Sequence, residues 1–305
     1  MKRFATLAAI LALAVLVTVQ AFAPAPVRAA GETTGTPGTP TATSTAGTPA
    51  PTATPSRTPT PGPSPTPTPV SYALVNVPDQ GTLNIRTGPS TWYPIVGAFG
   101  AQQKDIPITG NIARDYPRIW FEVRRTGGGL GWISGYYVTE YVEPEVFCKD
   151  GRTKTLVSDL AKAVANEDGK LLVSIASANH GITLRLFRNG PSFNFFSYLP
   201  NLFNGTYSIN WGKAPGAYQN EVGAFGQIVT PKLKDVFGSG YEIYCNDASK
   251  IGSANPWPPE YANINFLTVY KPESKAGAND WRAWLVGVDY VSGKPGVFAL
   301  IHFQP

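Results

Sequence analysis

A segment rich in proline and threonine sets the first limit on what this chain can fold into. Residues 31–70 contain 14 Thr and 11 Pro, and no aromatic residue and no aliphatic residue larger than Ala occurs before Val70. Such a segment cannot bury enough apolar surface to offset the entropy lost on ordering. Its proline content favours extended polyproline II backbone. We therefore predict a disordered linker over residues 30–70, either a stalk with O-glycosylated threonines or a passive connection.

The first 29 residues have the parts of a secretory signal peptide. Lys2 and Arg3 form a positive start, and residues 5–19 are almost wholly apolar. Val27 and Ala29 place short side chains at the −3 and −1 positions of a signal-peptidase site. We predict cleavage before Ala30, and a protein that is secreted or held at the cell surface. An uncleaved anchor is the alternative, although the apolar run of about 15–19 residues is at or below the roughly 20 needed to span a bilayer. No membrane span is predicted after cleavage.

Charge and cysteine content exclude several classes of protein. The formal net charge is +5, and removal of Lys2, Arg3 and Arg28 with the signal peptide leaves +2. The remaining basic residues form no stripe, so the electrostatic footprint of a nucleic-acid-binding protein is missing. Two cysteines in 305 residues exclude a disulfide-dense mini-domain, a zinc finger and an iron–sulfur protein.

The composition changes at Ser71, where short strand-like runs begin and turn residues separate them. This pattern predicts a small all-β barrel over residues 71–142. Trp120 and Trp132 are spaced to lie on neighbouring strands and to supply much of its core, and residues 127–129 form a hairpin tip. The predicted strands are Tyr72–Val77, Leu83–Arg86, Ile95–Phe99, Lys104–Thr109, Ile119–Arg124, Leu130–Ser134 and Tyr137–Tyr141.

The same region resembles bacterial SH3-like (SH3b) domains over residues 71–142. The run Leu83-Asn-Ile-Arg-Thr-Gly-Pro-Ser90 is similar to the opening signature of that family, and Tyr93–Gly97 is similar to the segment that comes next in the family. Trp120–Val123, Gly129–Ile133 and Tyr136–Val138 match its closing pattern. The chain departs from the family at residues 111–117, which are longer than the usual short turn.

The resemblance implies a non-catalytic module that contacts the cell envelope. Its implied partners are cell-wall peptidoglycan or a surface polysaccharide or peptide. Half-buried packing is the alternative role for Tyr93 and Tyr136. The candidate ligand-binding surface consists of Asn84, Arg86, Trp92, Tyr93, Tyr136 and Tyr137.

Residues 143–305 predict an α+β domain with helices first and antiparallel strands last. The predicted helices are residues 156–167, which end at Asp168-Gly169, then 171–176 and 227–237. The predicted strands are residues 182–187, 241–246, 264–271, 281–291 and 296–303, with a turn at 292–295 between the last two.

Two resemblances cover this second domain, and neither names an activity. The run from Leu160 to Gly169, followed by Leu171-Leu172, resembles the start of an NTF2-like cone fold. Such a cone implies binding of a small ligand. The whole of residues 143–305 also resembles an uncharacterised domain that accompanies SH3-like modules in secreted bacterial proteins.

Cys148 and Cys245 are the only cysteines, and export places them where thiols are usually oxidised. We predict that they form a disulfide. The alternative is a catalytic thiol, which needs a histidine such as His180 and an orienting group nearby.

Candidate catalytic groups are few, and the sequence leans against an enzyme without deciding the question. His180 lies in an apparent turn and is expected to be solvated or structural. His302 is expected to face away from Ile301 and Phe303, as a sheet histidine with satisfied hydrogen bonds; lining a cavity, if the sheet is curved, is the alternative. No nucleophile-elbow, zinc-protease or P-loop motif occurs, and no metal site or cofactor is predicted.

Carboxylates are the remaining candidates, because glycoside hydrolases use two of them about 5–9 Å apart. Asp289 alternates with Val288 and Tyr290 and is expected to be exposed. The sequence does not show which two come together. The candidates are Glu242, Asp247, Glu260, Asp280 and Asp289.

Three functions remain open at this stage. The first is a secreted or surface-bound, non-catalytic binding protein whose SH3-like domain contacts the envelope. The second is an extracellular wall or polysaccharide hydrolase, with residues 143–305 catalytic and the SH3-like domain targeting it. The third is small-ligand binding in an NTF2-like cone.

Overall fold

A computed structural model of the chain describes residues 70–115, 118–238, 240–252 and 256–305. The predicted signal peptide, residues 1–29, and the linker up to residue 69 lie outside the described residues and stay predictions. Among the described residues, no helix is long and apolar enough to cross a membrane.

The first part of the described chain forms short antiparallel strands, as predicted. One sheet has five strands in the order β3-β2-β6-β5-β4, which we call the small sheet, and β1 pairs with β7 alone. Among the described strands none joins β3 to β4, so the sheet is open and the predicted barrel is not closed. The strands are β1 (Tyr72–Leu74), β2 (Thr82–Arg86), β3 (Ile95–Gly100), β4 (Ile108–Asp115), β5 (Arg118–Arg124), β6 (Leu130–Ser134) and β7 (Val138–Glu140).

Strand β4 differs from the prediction in its position. A strand was expected at residues 104–109 and a long loop at 111–117, whereas β4 runs through Ile108–Asp115 and pairs with β5. The register shifts between Ile108 and Ile112, where Gly110 takes φ +98°. A glycine at positive φ permits this bulge, which carries the strand into the expected loop.

The second part of the described chain is α+β. A six-stranded sheet has the order β12-β13-β14-β15-β8-β9, in which only the β15–β8 pair is parallel. The helices are α1 (Pro144–Lys149), α2 (Gly151–Asn166), α3 (Gly169–Ile175) and α4 (Phe225–Phe237). The strands are β8 (Ile182–Arg185), β9 (Ser192–Phe195), β10 (Ile209–Gly212), β11 (Glu221–Gly223), β12 (Glu242–Cys245), β13 (Asn265–Lys271), β14 (Arg282–Val291) and β15 (Lys294–Phe303).

The end of α2 corrects one prediction. Asp168-Gly169 was expected to end the helix, but Glu167 ends it in the left-handed conformation with φ 53°. Asp168 instead begins α3, because its carboxylate accepts hydrogen bonds from the backbone N–H groups of Lys170 and Leu171. The last hairpin is tighter than predicted, since Ser292 and Gly293 alone connect β14 and β15, both at positive φ.

The six-stranded sheet is buried on both faces. Trp284, Val286 and Leu300 belong to a core that α2 and α4 share. Ala283, Leu285 and Ile301 belong to a second core, on the opposite face, that includes Val75 from the segment before the small sheet. Alternate side chains of β14 therefore enter two different cores.

Hydrogen bonds join the first part to the second. The Asn263 side chain donates to the carbonyl oxygens of Leu74, at 2.8 Å, and Gln102, at 3.0 Å. The Glu140 carboxylate accepts from the backbone N–H groups of Ser292, at 2.6 Å, and Gly293, at 2.8 Å. The 3-10 turn Gly135–Tyr137 also contacts the second part of the chain, since the ring of Tyr136 lies 6.2 Å from the ring of His180.

Candidate functional site

The residues predicted to bind ligand from the SH3-like resemblance fall into two groups. Arg86, Trp92 and Tyr93 form one group at the loop of residues 87–94, which we call the Trp92 loop. The Arg86 guanidinium donates to the carbonyl of Tyr93 at 2.8 Å, and Thr87 N–H donates to Pro94 O at 3.0 Å. These bonds fix the loop while 93% of the Trp92 side chain stays exposed.

Gly88 explains how this loop packs so closely. A Cβ atom at position 88 would lie 2.6 Å from the ring of Tyr93, so the ring lies directly over the glycine backbone. Any side chain at this position would displace Tyr93. The backbone of Gly88 is thus a packing surface for an aromatic ring.

The outer face of the small sheet continues this surface. Arg86 pairs with Trp132 of β6 and with Ile95 of β3, and residues directly opposite in antiparallel strands share a face. Asn84 lies two residues before Arg86 and is exposed on that face. Trp132 was expected in the core, but it is only half-buried. Trp132 lies on this face because β6 pairs with β2, and the sequence does not show which strands pair.

Tyr136 and Tyr137 form the second group, in the 3-10 turn before β7. Their rings meet edge to face at 5.1 Å. Tyr137 is half-buried against the core of the small sheet, and Tyr136, 40% exposed, lies 6.2 Å from the ring of His180. Burial is the main cause that raises the pKa of the Tyr136 hydroxyl. Among the described residues, no hydrogen bond or ring contact links these tyrosines to the Trp92 loop.

His180 and Asp289 correct two predictions of exposure, since they are only 2% and 1% exposed. His180 Nδ1 lies 2.7 Å from Asp289 Oδ2, and Ser177 donates to the same carboxylate oxygen at 2.6 Å. The turn predicted at His180 is present, with Gly181 at φ +67°. Asp289 is buried because its face of β14 belongs to the core to which Val75 contributes.

This cluster contains Ser, His and Asp but lacks the geometry of a catalytic triad. In a triad the serine contacts Nε2 of the histidine while the carboxylate holds Nδ1. Here Ser177 and Asp289 both lie on the Nδ1 side, and His180 Nε2 is buried with no partner among the described residues. The arrangement locks the turn of residues 177–181 onto the sheet.

His302 is buried in the last strand and also borders a cavity, which was the alternative to a fully satisfied sheet histidine. The cavity has a volume of about 790 Å³, and we call it the C-terminal cavity. His302 Nδ1 lies 3.2 Å from the carbonyl oxygen of Leu186, so Nδ1 carries the proton and Nε2 is an acceptor. Burial lowers the pKa of His302 to about 3. No Asp or Glu side chain is among the described residues that line this cavity.

The predicted disulfide is present and joins α1 to β12. Cys148 and Cys245 are bonded with their Cα atoms 5.7 Å apart. The bond closes a loop across a sequence separation of 97 residues. Because both sulfurs are bonded, the alternative of a catalytic thiol is wrong for this oxidised form.

The five candidate carboxylates do not pair with one another among the described residues. Asp280 accepts from the backbone of Ser274, Asp247 accepts from the backbone of Ser249, and Glu260 forms an ion pair with Arg185 at 3.1 Å. Glu242 accepts from the hydroxyl of Tyr244, and Asp289 belongs to the buried cluster. Over the described parts of the chain, no group of three His, Cys, Asp or Glu residues is placed to hold a metal ion.

Comparisons with known proteins assign no family to the chain. The resemblances to SH3-like and NTF2-like domains therefore stay predictions from the sequence. No protein-family model, no curated protein and no solved structure matches the chain.

Proposed function

We propose that this is an extracellular, non-catalytic binding protein that attaches to the cell envelope through the Trp92 loop and the outer face of the small sheet. The observation that carries the proposal is the 93% exposure of Trp92 on a loop whose backbone is held by hydrogen bonds. A large aromatic side chain supplies much contact area when a ligand covers it. A fixed loop loses little conformational freedom on binding, so more of that gain appears as affinity.

The chemistry of this surface fits peptidoglycan, which combines sugar rings with peptides that carry carboxylates. The flat indole of Trp92 offers a stacking surface for a sugar ring. Arg86 gives one N–H group to Tyr93 O, and a guanidinium has five such donors. Among the described residues no other hydrogen bond of this guanidinium is found, so its other N–H groups can bind a carboxylate. Asn84 is exposed on the same face and can bind a hydroxyl or an amide.

The disulfide supports the extracellular setting. Disulfides persist in secreted proteins and are rare where cytosolic reductants act. The Cys148–Cys245 bond is therefore compatible with the export that the N-terminal sequence predicts.

The hydrolase alternative needs a base beside an acid in a site that substrate can reach. His180 lies beside Asp289, but both are sealed from solvent. His302 borders the C-terminal cavity, but no Asp or Glu side chain among the described residues lines the cavity with it. Neither histidine meets both conditions, so the binding function has the better support.

The test is sedimentation of the purified, oxidised full chain with insoluble peptidoglycan, with chitin and cellulose as competing polymers. We expect retention on peptidoglycan, and a loss of affinity of about ten-fold or more for Trp92→Ala, as for a tryptophan at the centre of an interface. Tyr218→Ala is the matched control, because Tyr218 is 95% exposed and lies outside the small sheet. Absence of the wild-type chain from the peptidoglycan pellet, or equal retention of Trp92→Ala, would contradict the proposal.

A further inference from the structure

We propose that the C-terminal cavity binds an acidic saccharide, a short sugar chain that carries carboxylate groups. The cavity lies where residues 187–191, 212–215 and 302–305 meet, and Trp281 borders it. Its volume of about 790 Å³ is within the range of about 300–1,000 Å³ in which small molecules bind. The proposal concerns a second site and does not rest on envelope binding by the Trp92 loop.

Glycine contacts build one wall of the cavity. A Cβ atom at Gly190 would lie 2.9 Å from the carbonyl oxygen of Trp211, and one at Gly212 would lie 3.2 Å from the Cα atom of Gly190. Gly212 also takes φ +90°, where other residues are strained. Trp211 is fully buried and donates to Gly223 O at 3.0 Å. Two chain segments are therefore held against each other, and the wall is formed before any ligand arrives.

The charge of the lining favours an anion. Arg188 and Lys213 border the cavity, and no Asp or Glu side chain does so among the described residues. Lys213 is exposed and takes part in none of the ion pairs found in the described parts of the chain. An excess of basic groups in a concave surface raises the local concentration of anionic ligands.

The neutral groups of the lining favour a ligand with hydroxyl groups. Asn189, Asn220 and Gln304 offer amides that both donate and accept. His302 Nε2 is an acceptor with no partner among the described residues, and a buried acceptor without a donor is costly. The low pKa of His302 keeps the ring neutral near pH 7. The amides therefore offer donors and acceptors to hydroxyl groups, and the buried, neutral His302 adds no third positive charge to the wall.

The aromatic side chains complete the match to a sugar. Trp281 is half-buried and Phe303 is buried, and both border the cavity. The apolar C–H face of a sugar ring stacks on an aromatic ring, while its hydroxyls turn towards the amides. Cations near such a stack select a sugar that carries a carboxylate over a neutral one.

The test is calorimetric titration of the oxidised full chain with trigalacturonic acid, with neutral galactotriose as the matched ligand. We expect saturable binding of the acidic trimer, weaker at high salt, and at least five-fold weaker binding of galactotriose. We expect Lys213→Ala to weaken binding of the acidic trimer by up to about five-fold, which is the effect of losing one exposed charge pair. Trp281→Ala is expected to weaken it by about ten-fold or more.

Lys170→Ala is the control variant, since Lys170 is an exposed lysine that does not border the cavity. It is expected to leave binding unchanged. The proposal is overturned if the acidic trimer gives no saturable binding up to about 1 mM, which corresponds to about −4 kcal/mol. It is equally overturned if galactotriose binds as well as the acidic trimer.

A third outcome separates this proposal from envelope binding. If Trp92→Ala abolishes binding of the acidic trimer while Lys213→Ala and Trp281→Ala leave it unchanged, the sugar binds at the small sheet and the cavity proposal is wrong. If the trimer binds as expected but the chain does not sediment with peptidoglycan, the cavity proposal holds and the envelope proposal fails.

Discussion

The small sheet and the six-stranded sheet use aromatic and charged side chains in opposite ways. The small sheet leaves Trp92, Tyr93 and Ile95 exposed on and beside a pinned loop. The six-stranded sheet is covered on both faces and buries Asp289 and His302 within it. An exposed aromatic on a fixed loop has little effect on folding and indicates a partner. A buried charge constrains folding and is a weak indication of catalysis unless a substrate can reach it.

The same contrast separates the two histidines. His180 has a carboxylate and a hydroxyl partner but no opening to solvent. His302 borders an opening but has a backbone carbonyl as its partner. Burial alone does not distinguish a structural histidine from one at a ligand site. The partner and the access to solvent must both be considered.

The largest effect on stability is expected at Asp289, which is buried in the six-stranded sheet. Asp289→Asn replaces the carboxylate oxygen that accepts from Ser177 and lies 2.7 Å from His180 Nδ1, and leaving a buried polar group without its partner costs about 1–3 kcal/mol. Urea denaturation of the oxidised full chain measures this loss. Asp159→Asn is the control, since Asp159 pairs with Lys162 at the surface and its removal costs at most about 1 kcal/mol.

A double variant tests whether the loss comes from the pair. If Asp289→Asn and His180→Gln are coupled, the double variant loses much less stability than the two single variants together. Additive losses of stability would mean that His180 and Asp289 act separately. Their contact would then not be what holds the turn of residues 177–181 on the sheet.

Predictions from the sequence succeeded where the signal was local. Neighbouring residues determine the hairpin between β14 and β15 and the helix α4. The disulfide was predictable because the chain has only two cysteines. The six-residue helix α1 was not predicted, since its few residues give no periodicity to detect, although Pro144 stands in its first turn, where proline is favoured.

The failures concern contacts between distant parts of the chain. The alternation of side chains correctly placed Asp289 on the face of β14 opposite Val288 and Tyr290. It gave no sign that a second core covers that face and buries Asp289. A signal was present, because residues 284–288 are all apolar or glycine, and a continuous apolar run is typical of a strand buried on both faces. The partner of Asp289 lies 109 residues away in the sequence. No local pattern identifies such a partner.

The stability of the folded protein is expected to depend on pH through His302. The pKa of His302 is lowered to about 3 in the folded protein, from about 6.5 in the unfolded chain. Between these values the unfolded chain binds a proton that the folded protein does not, so stability falls as the pH falls. The loss is about 1.4 kcal/mol per pH unit, or about 2 kcal/mol between pH 6.5 and pH 5.

The measurement is the free energy of unfolding against pH for the wild type and for His302→Gln. The difference between the two curves isolates His302, because every other titratable group is present in both proteins. The hydrogen bond to Arg152 is the main cause that lowers the pKa of Asp150 to about 2. Asp150 therefore changes the free energy of unfolding only below about pH 4. Curves that stay parallel between pH 6.5 and pH 5 would show that His302 is not held neutral in the folded protein.

The smallest effect on stability is expected at Trp92, and it is as informative as the largest. A side chain that is 93% exposed makes few contacts within the protein, so Trp92→Ala is expected to change the free energy of unfolding by at most about 0.5 kcal/mol. The Arg86 and Thr87 hydrogen bonds that fix the loop use backbone acceptors of Tyr93 and Pro94, and they do not depend on the indole. Urea denaturation at constant pH measures the difference.

A loss above about 1 kcal/mol would mean that the indole packs against the small sheet, and Trp92 would then be a structural residue. With stability unchanged, any loss of binding by this variant reports on the ligand contact alone, which is the property that distinguishes the small sheet from the six-stranded one.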